Sequence, residues 1–219
     1  MENDIASPVK WPRVYPILDS QTGPWPALGL VPSVTALLAG GARILQFRHK
    51  GPWGRALFEE AAQAVRLCLE AGAVPVVDDR ADIAALLGAG LHVGQDDLAP
   101  GEARRLIGPG AVLGFSSHNA AQLSAAADEP VDYVALGPVF PTVSKRNPDP
   151  VVGIEQVRAC RARLAKPLVA IGGITRANAR LVLAAGADCV AVIGDMMPEP
   201  PNVAALRKRM EEWLKAAGT

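Results

Sequence analysis

The chain has 219 residues, half of them hydrophobic and a fifth charged, which is typical of a globular protein with one large domain or two small ones. Its 22 basic and 22 acidic residues give a formal net charge of zero, and aromatic residues make up only 5%. Proteins that bind nucleic acid or a membrane surface usually have a basic excess, so neither partner is expected. A small anionic ligand held by a few local cations is compatible with this composition.

The cysteines and the N-terminal segment predict a reduced, cytoplasmic protein. Cys68, Cys160 and Cys189 form no CxxC pair and lie in apolar or helical stretches, so we expect buried, unpaired thiols. Residues 1–12 have no signal-peptide pattern and are expected to form a flexible extension. The uncharged stretch 20–42 contains three prolines and several polar residues, unlike a membrane-spanning helix.

Short apolar runs rich in β-branched residues alternate with alanine- and leucine-rich helical segments along the chain. The apolar runs show little inside–outside alternation, which is typical of strands in a parallel sheet covered by helices. Eight strands are predicted, at residues 14–19, 43–48, 74–78, 90–93, 111–116, 132–136, 167–171 and 188–193.

Amphipathic segments between these strands, and after the last one, predict helices. They span residues 56–70, 83–87, 102–107, 120–127, 154–164, 177–184 and 202–217. Turns such as Gly72-Ala73 and Gly186-Ala187 are typical of helix C-terminal caps that lead into a strand. Asn202 is a candidate N-cap for the last helix, whose apolar stripe consists of Leu206, Met210, Trp213 and Leu214.

Eight consecutive β/α units in one domain over residues 1–219 predict an α/β fold, a single (β/α)₈ barrel. A doubly wound open sheet is the alternative. The third unit is the shortest and requires a short helix. In a barrel of this kind the active site lies at the C-terminal ends of the strands, so polar residues there are the candidate site residues.

The second strand ends with Gln46, Arg48 and Lys50, alternate residues that project to the same side. An amide, a guanidinium and an ammonium suit a ligand with an aromatic heterocycle and a phosphate tail. Arg binds phosphate through two parallel hydrogen bonds, and Lys neutralises it as a point charge. The alternative is a solvated strand end.

Acidic residues follow the third and fourth strands. Asp78, Asp79 and Arg80 end the third strand, and Asp96 and Asp97 come shortly after the fourth. Neighbouring parallel strands bring these carboxylates to the same rim, where, facing phosphate-binding cations, they suit Mg²⁺. The alternative is that one Asp caps the following helix and Arg80 neutralises another.

Hydroxyl-bearing residues follow the fifth and sixth strands. Ser116 and Ser117 are candidate ligand contacts or helix caps, and His118 is left without a role. After the sixth strand, Thr142 and Ser144 are followed by a lysine, which makes a candidate oxyanion cradle in a loop long enough to act as a lid.

Glycines follow the last two strands, at Gly172-Gly173 and Gly194. They allow backbone N–H groups to approach a phosphate at a helix N-terminus. The loops after the seventh and eighth strands are the usual phosphate site of this barrel class. A tight turn that requires positive φ is the alternative.

Together these segments resemble the thiamine phosphate synthase family, from about Tyr15 to Met196. The matching pieces, in the family's order, are QFRHK, DDR, HVGQDD, GFSSH, DYVALGPVFPTVSK and AIGGI. The resemblance implies a transferase that joins a hydroxymethylpyrimidine diphosphate to a thiazole phosphate, with Mg²⁺ as cofactor, and releases diphosphate.

The resemblance also implies roles for individual residues. Gln46 and Ser116 would contact the pyrimidine, and Asp79 and Asp97 would hold the metal. The diphosphate would be held and stabilised as it leaves by Arg48, Lys50 and Lys145, with Asp78 beside them as a substrate contact. The thiazole phosphate site would consist of Thr142, Val143, Ser144, Gly173, Ile193 and Gly194.

Two departures from the family's pattern matter: Asp78 replaces the usual Asn, and Gly194 replaces a frequent Ser. Ser144 replaces the usual Thr and keeps the hydroxyl. An ionised Asp78 would repel diphosphate unless it faces Mg²⁺ or is neutralised by Arg80. The alternatives are a thiazole tautomerase on the same barrel, whose implicated His matches His118, and a non-catalytic barrel that binds thiazole phosphate. The complete set of diphosphate residues favours the synthase. The sequence does not indicate an oligomeric state.

Overall fold

The computed structural model describes residues 11–142 and 149–219. Eight parallel strands pair in chain order, and the first also pairs with the eighth, which closes a barrel. The (β/α)₈ prediction is confirmed, and the open sheet is wrong. The strands are β1 (Val14–Asp19), β2 (Ile44–Arg48), β3 (Val74–Asp78), β4 (Gly90–Val93), β5 (Leu113–Ser117), β6 (Tyr133–Leu136), β7 (Leu168–Ile171) and β8 (Cys189–Val192).

The strands are buried on both faces, which explains their nearly continuous apolar sequences. In β1, Val14 and Leu18 belong to the large cluster between the barrel and its helices. The alternate residues Tyr15 and Ile17 belong to a smaller cluster inside the barrel. Trp11 packs against this inner cluster, so the chain contacts the barrel from there onward. Residues 1–10 of the predicted extension lie outside the described part.

Nine α-helices are found in the described ranges 11–142 and 149–219. They are α1 (Pro24–Leu28), α2 (Leu30–Ala39), α3 (Arg55–Glu70), α4 (Ala81–Leu87), α5 (Pro100–Ile107), α6 (Ala120–Ala126), α7 (Gly153–Arg161), α8 (Ala179–Ala184) and α9 (Val203–Ala217), with a 3₁₀ turn at Gly194–Met196. The sequence prediction missed α1 and α2. Pro24 begins α1 and Pro32 lies in the first turn of α2, where the missing N–H of proline breaks no intrahelical bond.

Helix α9 follows its prediction closely. The Asn202 side chain caps it by accepting a hydrogen bond from the Ala205 N–H at 2.8 Å. The stripe buries Leu206, Met210 and Trp213, which pack in the main cluster. A Cβ on Gly40, at the end of α2, would lie 2.7 Å from the Met210 Cβ. Glycine at this position therefore lets α2 and α9 pack closely.

The three cysteines are buried and unpaired, as predicted. Cys68 lies in α3, Cys160 in α7 and Cys189 in β8. Among residues 11–142 and 149–219, no helix is both long and apolar enough to cross a bilayer.

Candidate active site

The cations that follow β2 meet the carboxylates that follow β3 at the C-terminal rim of the barrel. Lys50 forms an ion pair with Asp79, and its Nζ lies 3.1 Å from Asp78 Oδ2. Arg48 Nε lies 3.4 Å from the same Asp78 oxygen. Burial disfavours the charge on Lys50, but the two carboxylates outweigh it, so the pKa of Lys50 lies above its ordinary value. The predicted phosphate-binding cations and the acidic residues therefore form one charged cluster.

Asp19, at the end of β1, is a member of this cluster that the sequence prediction missed. It forms an ion pair with Arg48, and its Oδ1 accepts hydrogen bonds from the Gln21 N–H at 2.7 Å and the Thr22 N–H at 3.2 Å. Asp19 is also paired in register with Arg48 across the two strands. A charged residue at the end of an otherwise apolar run was the available signal.

Asp78 lies beside Arg48 and Lys50 and not beside Arg80. Arg80 binds Asp82 through two hydrogen bonds, at 2.8 and 2.5 Å, so the alternative in which Arg80 neutralises Asp78 is wrong. The Asp78 Oδ2 atom is buried, and neither nearby cation gives it a hydrogen bond of good geometry. Burial and the negative charge of Asp79 raise the pKa of Asp78 from 3.8 to about 6.

Asp79 and Asp97 come from neighbouring loops and lie close enough to influence each other. Burial and the charge of Asp79 raise the pKa of Asp97, although a hydrogen bond from the Gly94 N–H to Asp97 Oδ2, at 2.7 Å, opposes the shift. Asp79 has a φ of +61°, the left-handed region that Asp tolerates better than most residues. Helix α4 begins without a side-chain cap, so the alternative role of an Asp as its cap is wrong.

The donor set at this rim fits Mg²⁺. In the described ranges, no group of three or more His, Cys, Asp or Glu side chains is arranged to hold a metal. Mg²⁺ usually takes only one or two protein carboxylates and completes its shell with phosphate oxygens and water. The adjacent carboxylates of Asp79 and Asp97, with the buried Asp78 oxygen nearby, suit that kind of open site.

Gln46 and Ser116 each form a hydrogen bond with a side chain of the neighbouring strand. The Gln46 Nε2 donates to the Tyr15 hydroxyl at 3.3 Å, and Ser116 Oγ is 2.8 Å from His92 Nε2. Ser116 caps no helix. The side chain of Asn119 caps α6 instead, by accepting from the Gln122 N–H.

The loop after β6 is described only in part. Thr142 is half-buried at its start, while Val143, Ser144 and Lys145 lie outside the described residues. The predicted lid and oxyanion cradle fall largely on that segment. His118 Nδ1 lies 2.8 Å from the Gly137 carbonyl oxygen and 3.3 Å from Asp149 Oδ2. Its imidazole thus connects the β5 loop with the β6 loop.

Of the glycines after β7 and β8, Gly173 is required by the local geometry and Gly194 is not. Gly173 has a φ of +63°, and a Cβ there would lie 2.4 Å from the Pro141 carbonyl oxygen. The tight-turn interpretation therefore holds for Gly173, whether or not it binds phosphate. Gly194 begins the 3₁₀ turn after Ile193, and a Cβ there would meet no atom within 4 Å.

Asp195 connects these two loops. Its Oδ2 accepts hydrogen bonds from the Arg176 Nε at 3.0 Å and from the Arg176 backbone N–H at 3.3 Å. Arg176 also forms an ion pair with Glu212 of α9. The predicted phosphate loops are thus fixed to each other and to the C-terminal helix.

Comparison with known proteins places the chain in a family. A sequence profile described as thiamine monophosphate synthase matches residues 14–196. The chain belongs to this family. A relative from Koribacter versatilis, named thiamine-phosphate synthase, is 46% identical over 214 residues and covers 96% of this chain and 98% of its own. A Methanoculleus marisnigri protein of the same name is 46% identical over 170 residues, 77% of this chain and 81% of its own.

A solved structure agrees with the sequence relatives. Thiamine phosphate pyrophosphorylase from Pyrococcus furiosus superposes with a TM-score of 0.80 at 32% identity, and the match covers 94% of this chain and 95% of that one. Asp78 and Gly194, the two positions at which the resemblance suggests a departure from the family's pattern, lie in the charged cluster and in the β8 loop.

Proposed function

We propose that this chain couples 4-amino-2-methyl-5-(diphosphooxymethyl)pyrimidine with a thiazole phosphate, giving thiamine phosphate and diphosphate. The observation that carries the proposal is the rim cluster, in which Arg48 and Lys50 face Asp78 and Asp79. A Mg²⁺–diphosphate group has the charges to replace these mutual contacts, because its phosphates attract the cations and its metal attracts the carboxylates. The family membership of the chain supports this assignment.

The proposal gives seven residues a role toward the first substrate. Gln46 and Ser116 recognise the aminopyrimidine, and Arg48, Lys50 and Lys145 hold the diphosphate. Asp79 and Asp97 would hold Mg²⁺, which when bound neutralises charge on the phosphate oxygens.

The chemistry is a substitution at the methylene carbon of the pyrimidine. The bond from this carbon to the diphosphate oxygen breaks, and its electron pair leaves with diphosphate. Arg48 and Lys50 neutralise the growing negative charge, which is the principal contribution that the protein can make to such a step. The aminopyrimidine delocalises the positive charge left on the methylene, and the thiazole nitrogen then supplies the electron pair of the new C–N bond. No protein nucleophile is required.

The second substrate is proposed to bind by its phosphate at the loops after β6, β7 and β8. The residues involved are Thr142, Val143, Ser144, Gly173, Ile193 and Gly194. Backbone N–H groups at glycine turns and at the start of a helical turn provide donors for a phosphate without a cationic side chain.

The cellular setting follows from the cysteines and the substrates. Both substrates and both products are small molecules, and no nucleic acid or membrane takes part. Three buried, unpaired thiols are typical of a reducing compartment, and we place the reaction in the cytoplasm.

The direct test is thiamine phosphate formation by purified protein with and without Mg²⁺, in wild type and in Asp79→Asn. The matched control is Asp82→Asn, which removes a carboxylate that pairs with Arg80 outside the cluster. We expect Mg²⁺-dependent product that falls at least about 100-fold in Asp79→Asn and stays near wild type in the control. The assignment of Asp79 would be contradicted if both variants formed product at the wild-type rate. It would also be contradicted if both variants lost it.

The same preparation distinguishes the two alternatives. A folded protein that makes no thiamine phosphate but isomerises the thiazole would be a tautomerase, with His118 as its first candidate. A protein that binds thiazole phosphate without Mg²⁺ and turns over nothing would be a binding protein.

A further inference from the structure

A continuous chain of polar side chains crosses the inside of the barrel. Gln46 Nε2 lies 3.3 Å from the Tyr15 hydroxyl, which lies 3.1 Å from the Tyr133 hydroxyl. Tyr133 is in turn 2.9 Å from His92 Nδ1, and His92 Nε2 is 2.8 Å from Ser116 Oγ. The two ends of this chain are the residues proposed above to recognise the aminopyrimidine.

The chemistry of the groups gives the chain one direction. The Gln46 N–H can only donate, so the Tyr15 oxygen accepts from it. Burial raises the pKa of both Tyr15 and Tyr133, so each phenol keeps its hydrogen. A fully buried hydroxyl donates that hydrogen, and the Tyr15 hydroxyl therefore donates to Tyr133.

The same direction continues to the other end. The Tyr133 oxygen accepts from Tyr15, so its hydrogen goes to His92 Nδ1. A neutral imidazole that accepts at Nδ1 carries its proton at Nε2. The His92 Nε2–H then donates to the Ser116 oxygen.

This direction determines what the two ends offer to a ligand. Ser116 accepts within the chain, so its own O–H hydrogen is directed elsewhere. Gln46 uses one N–H in the chain and keeps its carbonyl oxygen as an acceptor. A donor at one end and an acceptor at the other complement an aminopyrimidine, whose ring nitrogen accepts and whose exocyclic amine donates. In the reverse direction, Ser116 would use its hydrogen on His92 and would offer no donor.

The packing around Tyr133 holds the centre of the chain in place. Its ring stacks on His92 with a centroid distance of 5.5 Å and an interplanar angle of 19°. The Trp11 ring contacts it edge-on, with a centroid distance of 5.1 Å. A Cβ on Gly114 of β5 would lie 2.0 Å from Tyr133 Cζ. Glycine in the middle of a buried strand is costly, so its presence here is explained by the space that the Tyr133 ring takes.

We propose that Tyr133, acting with Tyr15 and His92, is a positioning residue that fixes the donor–acceptor polarity of Ser116 and Gln46 toward the aminopyrimidine. The inference rests on the proposed function of those two end residues. Tyr133 is assigned no contact with the reacting atoms. Its effect is exerted through the hydrogen bonds at the ends of the chain.

The kinetic test is Tyr133→Phe, which removes the central hydroxyl and keeps the ring. We expect the KM for the pyrimidine diphosphate to rise about tenfold and the KM for the thiazole phosphate to change less than about twofold. The matched control is Ser33→Ala, which removes a buried hydroxyl of α2 that donates to the Gly29 carbonyl, away from these side chains. We expect both KM values of this control to match wild type.

The second readout is ¹⁵N NMR of the His92 ring without substrates. We expect the Nε2–H tautomer in wild type and in Ser33→Ala, and a changed tautomer population in Tyr133→Phe. The inference is overturned if wild type shows the Nδ1–H tautomer. It is also overturned if Tyr133→Phe leaves the pyrimidine KM unchanged or raises both KM values equally.

Failure of the proposed function gives a different result. If wild type shows the expected His92 tautomer but forms no thiamine phosphate, the proposed function is contradicted. The direction of the hydrogen bonds from Gln46 to Ser116 is then still established. Activity with an unchanged pyrimidine KM in Gln46→Ala would contradict the role of Gln46 at the end of the chain, and with it the inference.

Discussion

Asp19 and Arg48 form the most deeply placed ion pair of the rim, with side-chain exposures of 3% and 17%. Two backbone N–H groups also bind Asp19, so the carboxylate is fixed before any ligand arrives. A guanidinium held on one side presents its remaining N–H groups in a defined direction, which suits bidentate binding of phosphate. At the scale of single residues, the site therefore depends on carboxylates that position cations.

The first prediction concerns the stability that this pair contributes. Arg48→Ala should lower the free energy of unfolding by about 3 kcal/mol, because it leaves the Asp19 carboxylate buried without its cation. Urea denaturation measures the loss. The double variant Asp19→Ala/Arg48→Ala should recover part of it, and an equal or greater loss in the double variant would contradict the explanation.

The second prediction concerns pH and Asp78. Its folded-state pKa of about 6 lies above the ordinary 3.8, so its ionisation costs stability above pH 6, and this cost disappears as the pH falls below 4. Asp78→Asn should therefore stabilise the metal-free protein at pH 7, by on the order of 1 kcal/mol, and by less at pH 4.5. Urea denaturation in EDTA at both values tests this. A stability difference that is equal at the two pH values would count against it.

The sequence indicates the rim residues better than their partners. Gln46, Arg48 and Lys50 could be identified because strand alternation and the position of strand ends are visible in the sequence. The choice of Asp82 by Arg80, and of Asp19 by Arg48, could not be predicted. The ion-pair partner of an Arg depends on how side chains from different strands and loops point toward each other. Neighbouring residues in the sequence do not show these directions.

At the scale of strands, β5 has a glycine, Gly114, where the Tyr133 ring leaves no space for a side chain. Gly114→Ala should lower the free energy of unfolding by about 2 kcal/mol, since the added methyl overlaps that ring. Gly101→Ala in α5 is the control, because a Cβ there meets nothing within 4 Å, and it should stabilise by about 0.5 kcal/mol. Thermal and urea unfolding compare them. An equal change in the free energy of unfolding for the two substitutions would contradict this explanation. It would show that the protein accommodates the methyl group beside Tyr133 without losing stability.

The two glycine loops give a contrasting pair of variants. Gly194→Ser meets no steric obstacle and adds a hydroxyl donor, so the KM for thiazole phosphate should fall about threefold. Gly173→Ala introduces a Cβ at positive φ against the Pro141 carbonyl and should raise that KM and lower stability. Steady-state kinetics separate the two. A KM that rises in Gly194→Ser would contradict the proposed phosphate position.

The elements themselves were predictable where the apolar pattern is regular. The predicted strand 14–19 coincides with β1. The predicted strand 111–116 begins two residues before the start of β5 (Leu113–Ser117) and ends one residue before its end. Helices α1 and α2 were missed because prolines suggest a loop unless their place in a first helical turn is recognised. Closure of the barrel was inferred from the number of units, and only the pairing of β1 with β8 establishes it.

At the scale of the whole molecule, closure brings residues from distant parts of the sequence to one rim. Asp19 and Asp78 both lie beside the Arg48 guanidinium, and the ion pairs of Arg176 with Asp195 and Glu212 attach the β7 and β8 loops to α9. The rim thus has one charged half and one glycine-rich half, which the proposal assigns to a diphosphate and to a monophosphate. This division of the rim is what the proposed coupling of two phosphorylated substrates requires.

The most direct test of this account is the stoichiometry of the reaction. Purified wild-type protein is mixed with both substrates, and thiamine phosphate and diphosphate are quantified together as Mg²⁺ is titrated. The account predicts that the two products appear in a one-to-one ratio and that both depend on Mg²⁺. Diphosphate released without thiamine phosphate, or no release of either from folded protein at saturating Mg²⁺, would contradict it.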